Sequence, residues 1–93
     1  MFEWNDRKAA ANRKKHGVSF QEATSVFLDE NARLIRDPMA TAHEDQFVLL
    51  GLSIQLRLLV VIHCYQEHDE AIRIISARKA DRSERRQYSE FLR

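Results

Sequence analysis

Cysteine, proline and glycine are scarce in this chain of 93 residues, which has one cysteine, one proline and two glycines. A single cysteine, Cys64, excludes an internal disulfide, and its place inside an apolar run predicts a buried, unreactive thiol. Few glycines and prolines together with 44% hydrophobic residues are not the composition of a disordered tail. We expect one domain over residues 1–93, because two halves would each be too small for a stable core.

Long apolar runs are also absent. The longest, Leu58 to Ile62, is far too short to cross a bilayer, and no secretion signal opens the chain, so we expect a cytoplasmic protein without membrane contact. The four histidines lack metal-ligand spacing and have no accompanying cysteine pair, so we expect no metal site and no cofactor. Neither a glycine-rich phosphate loop nor a Ser-His-Asp order is present, which argues against P-loop hydrolysis and serine chemistry.

Charge is divided unevenly along the chain. Residues 1–16 hold five basic and two acidic side chains, a net charge of +3, and residues 72–93 hold seven and three, a net of +4. Residues 17–71 hold three basic and nine acidic side chains, a net of −6, so the overall charge of +1 conceals two basic ends. If these ends meet in the fold, they form one cationic surface, which is typical of a protein that binds a polyanion.

The apolar pattern of the N-terminal third predicts a strand and two helices. Residues 1–4 alternate as a short strand, and a helix follows over residues 6–15 and ends at Gly17. Ser19 and Glu22 have the spacing of a capping box, in which each side chain caps the backbone of the other residue, and they open a second helix.

Four strands and one helix are predicted in the rest of the chain. The strands lie at residues 32–36, 46–53, 57–65 and 71–77 and form an antiparallel meander, with Gly51 as a candidate β-bulge and residues 39–45 as a loop. The last helix begins near Asp81, again with capping-box spacing, and its anchors to the sheet are Tyr88, Phe91 and Leu92.

Arginines in the last predicted strand are the first candidates for function. Arg73 lies between apolar neighbours, where an arginine is rare unless it pairs with a carboxylate or binds an anion, and the basic residues that follow favour an anion site. Simple alternation puts Arg73 and Arg78 on opposite faces of the strand. They can share a phosphate only if the strand twists or ends between them, near Ser76 to Ala77.

Three other residues have both a structural and a functional interpretation. Glu84 can be a helix cap, a partner within the helix or a general base, and the cap is favoured. His16, beside Lys15 and Gly17, is a plain helix-end histidine or a proton-transfer group near a bound phosphate. Trp4 is more readily a core residue than a stacking partner for a base.

Two blocks of residues resemble a known family. The first contains Trp4, Lys8, Asn12, Lys15-His16-Gly17-Val18-Ser19-Phe20 and Glu22-Ala23, and the second contains Arg73-Ile74-Ile75-Ser76-Ala77-Arg78-Lys79-Ala80, Glu84-Arg85-Arg86 and Tyr88. On these blocks the chain is similar to the BrnT family of type II toxins. It departs from the family pattern at Asn5, where Asp is usual, and at Gln46, where an Arg is common.

The resemblance implies an α+β, RelE-like fold, with a small antiparallel β-sheet of about four to five strands, two N-terminal helices and one C-terminal helix. It implies an endoribonuclease that cleaves RNA without a metal ion, inhibits translation and growth, and is neutralised by an antitoxin called BrnA. Toxin and antitoxin would form a heterotetramer that binds operator DNA only through the ribbon-helix-helix domain of the antitoxin.

Cleavage of RNA by its own 2′-hydroxyl needs a base, an acid and cations at the developing phosphorane charge. We assign Arg73 and Arg78 to that charge, and His16 or Glu84 to proton transfer. RNA binding is assigned to Lys8, Lys15, Lys79, Arg82, Arg85 and Tyr88, the last as a stacking residue. The rival interpretation is a non-catalytic module that uses the same basic surface to bind nucleic acid or an acidic partner.

Overall fold

The protein folds into a five-stranded sheet with helices on both faces. The computed structural model describes residues 1–36, 46–66 and 70–92. Its elements are β1 (Phe2–Glu3), α1 (Asp6–His16), α2 (Phe20–Ser25), a 3₁₀ helix (Val26–Leu28), β2 (Arg33–Arg36), β3 (Phe47–Leu52), β4 (Leu58–Tyr65), β5 (Ile72–Lys79) and α3 (Arg82–Phe91). The predicted antiparallel meander of β2 to β5 is confirmed. The loop predicted at residues 39–45 lies outside the described residues.

The first strand brings the two basic ends of the chain together. β1 pairs in parallel with the start of β5, with Phe2 opposite Ile72 and Glu3 opposite Arg73. The sheet order is therefore β1-β5-β4-β3-β2, and one parallel pair is added to the antiparallel sheet that the sequence predicts. Because β1 and β5 are far apart in the chain, no local pattern could indicate this pairing.

Apolar clusters cover both faces of the sheet. On face A, α1, α2 and the 3₁₀ helix enclose the buried residues Val18, Phe20, Ala23, Val26, Leu49, Leu59, Val61, Ile74 and Ala77. On face B, α3 packs through Tyr88 onto Leu50, Leu58, Val60 and Ala80. Of the three predicted anchors of α3, only Tyr88 is buried, whereas Phe91 and Leu92 are half exposed.

The predicted caps of α1 and α3 are confirmed. Asn5 Oδ1 accepts a hydrogen bond from the backbone N–H of Lys8 at 3.1 Å, so asparagine caps α1 as aspartate would. Gly17 ends α1 with a φ of +70°, which favours glycine. Asp81 and Glu84 form the capping box of α3, since each side chain accepts from the backbone N–H of the other at 2.8 Å.

Glu22 does not complete a capping box at α2 and forms a buried ion pair instead. The Ser19 side chain caps α2 alone, at 3.0 Å from the backbone nitrogen of Glu22. The Glu22 carboxylate accepts from Ser53 Oγ at 2.7 Å, from Arg57 Nε at 2.8 Å and from Arg57 Nη2. Arg57 also donates to the Gly17 carbonyl at 3.1 Å, so this pair joins α1, α2 and the turn between β3 and β4.

Gly51 does not mark a bulge, because it pairs in regular register opposite Leu59. It is needed for a close approach between elements. A Cβ at this position would lie 2.8 Å from Ala32 Cβ and 2.8 Å from Val26 Cγ1, so any side chain would push the 3₁₀ helix and the start of β2 away from β3.

Asn12 takes the place of a neighbouring strand at the outer edge of β5. Its side-chain amide donates to the Ala77 carbonyl at 2.8 Å and accepts from the Ala77 N–H at 3.1 Å, which are the two bonds that a paired strand would make. It also donates to the Val18 carbonyl at 3.0 Å. α1 therefore covers the part of this edge that lies beyond β1.

Asn12→Ala should lower the free energy of unfolding by about 2–3 kcal/mol, because the N–H and C=O groups of Ala77 would be buried without partners. Urea denaturation followed by circular dichroism measures the change. Lys14→Ala, on the exposed side of the same helix, is the control and should stay within about 0.5 kcal/mol of the parent. A loss that small for Asn12→Ala would show that water can replace the amide.

Candidate active site

A β-bulge interrupts β5 in the middle of the candidate site. Pairing with β4 passes from Ile62 opposite Ser76 to His63 opposite Ile74, so Ile75 is an extra residue on β5. An extra residue resets the alternation of side chains, and residues on its two sides no longer follow simple parity.

This bulge places Arg73 and Arg78 on the same face. Arg73 lies opposite Cys64 and Arg78 opposite Val60, and residues 60 and 64 of the regular strand β4 both point to face B. The expectation that the two arginines lie on opposite faces is therefore wrong. Their partners are four positions apart on β4, which puts the two Cα positions about 13 Å apart. They suit two phosphates of one RNA strand better than a single phosphate.

Arg78 is held by Glu84 at the point where β5 leads into α3. Its Nη1 and Nη2 donate to Glu84 Oε1 and Oε2, each at 2.8 Å. The Arg78 hydrogen bonds lower the pKa of Glu84, and the same bonds raise the pKa of Arg78. Because the Arg78 side chain stays 38% exposed, an anion from solvent can reach the guanidinium.

Glu84 has two structural roles at once. Its carboxylate closes the capping box of α3 through the N–H of Asp81 and also binds Arg78, so the favoured cap interpretation is confirmed. Both of its oxygens are occupied and its pKa is lowered, which makes it a weak base. Its geometry is that of a residue that positions Arg78.

Arg73 is held loosely. Its Nη1 lies 3.9 Å from Glu3 Oε1, and both side chains are about two-fifths exposed. An exposed pair at this distance contributes at most about 1 kcal/mol, so Glu3 is a weak competitor for an incoming phosphate.

The other predicted RNA-binding cations lie in three groups. Arg82 and Arg85 are exposed on α3, beside the Arg78 pair. Lys15 is in the last turn of α1, next to the proton-transfer candidate His16, and the exposed Lys79 lies opposite Leu59 and thus on face A. Lys8 lies in the first half of α1, towards β1 and Arg73. The end of β5 is thus flanked by cations on both faces, whereas Lys8 and Arg73 are at the other end.

Tyr88 is buried, with 8% of its surface exposed. Its hydroxyl donates to Asp29 Oδ2 at 2.6 Å, and the same oxygen accepts from the Leu52 N–H at 2.8 Å. Burial and Asp29 raise the pKa of Tyr88 to about 12. The ring therefore fastens α3 to face B, and a ring buried in this way is not available to stack on an RNA base. Trp4 packs edge to face on Phe20 at 5.9 Å, as the core interpretation expects.

Asn12 and Arg57 shape the site without having been predicted to do so. Asn12 fixes the β5 edge that leads to Arg78, and Arg57 fixes the end of α1 that carries His16. A polar residue one helical turn from the half-buried Ala9 was a usable signal for Asn12. The sequence around Arg57 holds no such signal, because its partner is 35 residues away.

Within the described ranges, no group of three histidine, cysteine, aspartate or glutamate side chains is arranged to hold a metal ion. No helix in that same part of the chain has the length and apolar character needed to cross a membrane.

The fold and the site define a small α+β protein whose basic ends meet along one strand, as expected of a protein that binds a polyanion. A family model described as the ribonuclease toxin BrnT of type II toxin-antitoxin systems matches residues 4–84, and the chain belongs to this family. The family assignment confirms the resemblance seen in the two sequence blocks. It implies an RNA target and a protein antitoxin as partner.

A solved structure supports the assignment. The crystal structure of the Brucella abortus ribonuclease toxin BrnT is 25% identical to this chain and superposes with a TM-score of 0.66, over 88% of this chain and 99% of the other. A comparison with curated proteins finds no match.

Proposed function

We propose that this chain is the toxin of a type II pair and cleaves RNA by attack of the 2′-hydroxyl on the adjacent phosphate, without a metal ion. The Arg78–Glu84 pair is the observation that carries the proposal. A guanidinium already fixed by two charge-assisted hydrogen bonds needs little reorganisation when negative charge develops on a phosphorane. The cleavage would inhibit translation and growth.

The basic residues of the predicted site have different parts in this reaction. Arg78 stabilises the developing charge, and Glu84 holds it in position. Arg82 and Arg85 bind the phosphates beside the scissile one, and Lys79 and Lys15 hold the strand where it passes over the edge of the sheet. His16 is the candidate for proton transfer, while Arg73 and Lys8 bind phosphates farther along the strand.

The antitoxin completes the proposed function. From the family resemblance we infer a BrnA-like partner with a ribbon-helix-helix domain, which forms a heterotetramer with the toxin and supplies the contact with operator DNA.

One observation favours the rival function, a module that binds RNA or an acidic partner without cleaving it. Both oxygens of Glu84 are occupied by Arg78 and the helix cap, which leaves His16 to supply proton transfer from the α1 side of the edge.

Incubation of the purified protein with single-stranded RNA in the presence of a chelator distinguishes these functions. We expect fragments that end in a 2′,3′-cyclic phosphate, because the 2′-oxygen forms the new bond to phosphorus as the 5′-oxygen leaves. Intact RNA retained in a salt-sensitive complex would support the binding module instead. Cleavage that appears only after Mg²⁺ is added would contradict the metal-independent mechanism.

A further inference from the structure

Three large aliphatic side chains project into solvent near the turn between β3 and β4. Leu28 is 82% exposed, Ile54 77% and Leu56 78%. Leu28 and Ile54 line one surface hollow, and the Ile54 N–H donates to Ser25 Oγ at 2.9 Å, which holds the turn against the end of α2. We call Leu28, Ile54 and Leu56 the apolar tip. Leu56 lies two residues after Ile54 in the same turn. Single exposed leucines are ordinary, whereas several large aliphatic side chains exposed in one region mark a binding surface.

The backbone of Leu56 adds an independent observation. Its φ is +61°, in the left-handed region that glycine and asparagine adopt readily and that costs other residues roughly 1–2 kcal/mol. The turn is closed by hydrogen bonds from Leu56 N–H to the Ser53 carbonyl at 2.9 Å and from Ser53 N–H to the Arg57 carbonyl at 2.8 Å. A leucine at position 56 therefore carries a free-energy cost for its left-handed backbone and another for its exposed apolar side chain. Neither cost is offset by burial of this side chain within the described part of the chain.

Charges at the border of the apolar tip indicate what covers it. Arg57, which ends the turn, donates to the Gly17 carbonyl, so the tip borders the last turn of α1 with its basic residues Arg13, Lys14 and Lys15. Lys79 is near enough to lower the pKa of Glu22, the partner of Arg57. Acidic side chains are also present, because Asp29 lines the hollow beside Leu28 and Ile54 and the next residue, Glu30, is exposed. The border towards the proposed RNA site is therefore basic.

We propose that the apolar tip is a docking site for the antitoxin, through a segment that combines apolar side chains with acidic residues. This inference rests on the proposed function, which supplies the antitoxin. The apolar side chains would pack on Leu28, Ile54 and Leu56, and the acidic residues would meet the basic end of α1. A segment bound there covers the approach to Lys15, His16 and Lys79, so binding of the antitoxin would itself block the proposed RNA site and neutralise the toxin.

Other occupants fit less well. The tip itself offers an RNA strand neither a cation nor an aromatic ring for stacking. A second copy of this chain related by a two-fold axis would bring two basic borders close together, which opposes association.

Leu56→Asn tests the proposal without a risk to folding. Asparagine tolerates the left-handed conformation and solvent, so the variant should be at least as stable as the parent. We expect free Leu56→Asn to cleave RNA within about two-fold of the parent rate. Its affinity for the purified cognate antitoxin, measured by calorimetry, should fall about 10- to 100-fold. Ile35→Ser, a half-exposed aliphatic on β2, is the matched control and should bind as the parent does.

The alternatives have distinct outcomes. Unchanged antitoxin affinity in Leu56→Asn, or an equal loss in Ile35→Ser, overturns the proposal. A variant that becomes monomeric while the parent is a dimer, with the same antitoxin affinity, shows a contact between copies. Weaker RNA binding in free Leu56→Asn shows an RNA surface instead. If the parent binds the antitoxin through the tip but does not cleave RNA, the proposed ribonuclease function fails while the docking site stands.

Discussion

Arg78→Ala should lower the rate of RNA cleavage about 10²- to 10³-fold, the loss typical when one fixed donor to a developing oxyanion is removed. Among the predicted site residues, Arg78 is held by two 2.8 Å bonds to Glu84. Single-turnover cleavage of a short single-stranded RNA measures the effect on the chemical step. In cells, the substitution should relieve the growth arrest caused by the toxin alone.

Three further variants distinguish the loss of the Arg78 guanidinium at its particular position from a general loss of positive charge. Arg86→Ala removes the same charge from an exposed site on α3 and should cost less than about three-fold. Glu84→Gln keeps the shape but weakens the hold on Arg78, so kcat should fall about 10-fold while the cation remains. Arg73→Ala should mainly raise KM, since Arg73 lies about 13 Å along the strand from Arg78. If Arg78→Ala cleaves within three-fold of the parent rate, the site lies elsewhere.

The relation between Arg73 and Arg78 shows where sequence reasoning reached its limit. Period-2 alternation correctly predicted a largely apolar strand that contains Arg73, although the predicted strand ended at Ala77, one residue before Arg78. It failed on their relative faces because Ile75 is an extra residue, and an isoleucine carries none of the signals, such as glycine, that suggest a bulge. The two arginines reach one face through this extra residue, and not through a twist or an end of the strand near Ser76 to Ala77, because β5 continues to Lys79.

Local signals predicted the elements well. Asn5, Gly17, Ser19 and Asp81 each stand at a helix end for a reason contained in the neighbouring residues, and the meander follows from strands joined in sequence. Long-range contacts were out of reach. The pairing of β1 with β5 and the bond from Asn12 to Ala77 each join residues more than 60 positions apart.

Two polar residues with expected chemical roles also hold the fold together. Tyr88 and Glu84 are residue types suited to stacking and to proton transfer, yet both are engaged in contacts that fix α3. Such contacts serve function indirectly, since α3 carries Arg82 and Arg85 and supplies the carboxylate that positions Arg78. Residue type alone cannot distinguish a chemical role from a structural one, because either role can be filled by a polar group near the end of β5.

Arg57→Met should lower the free energy of unfolding by about 3 kcal/mol, because it leaves the Glu22 carboxylate buried without its cation. The Glu22 side chain is 2% exposed, whereas that of Arg57 is 30% exposed, which keeps the loss below the top of the range for buried pairs. For a chain of this size the melting temperature should fall by roughly 12–24 °C. Arg86→Met is the matched control and should shift it by no more than about 3 °C.

The pH dependence of the Arg57→Met effect distinguishes a lost ion pair from lost packing. In the parent, the Arg57 hydrogen bond holds the pKa of Glu22 below its ordinary value of 4.5, so the unfolded chain takes up the proton first and acid below that value destabilises the fold. Without Arg57, burial is the largest remaining influence and raises the pKa of Glu22, against the Ser53 hydrogen bond and Lys79, which lower it. The folded variant therefore takes up the proton more readily than the folded parent and loses less stability in acid. The difference in stability should therefore shrink from pH 7 to pH 4. The double variant Glu22→Gln/Arg57→Met should recover more than half of the stability lost at pH 7. If the stability difference between Arg57→Met and the parent is the same at every pH, the loss comes from packing of the Arg57 side chain and not from the ion pair.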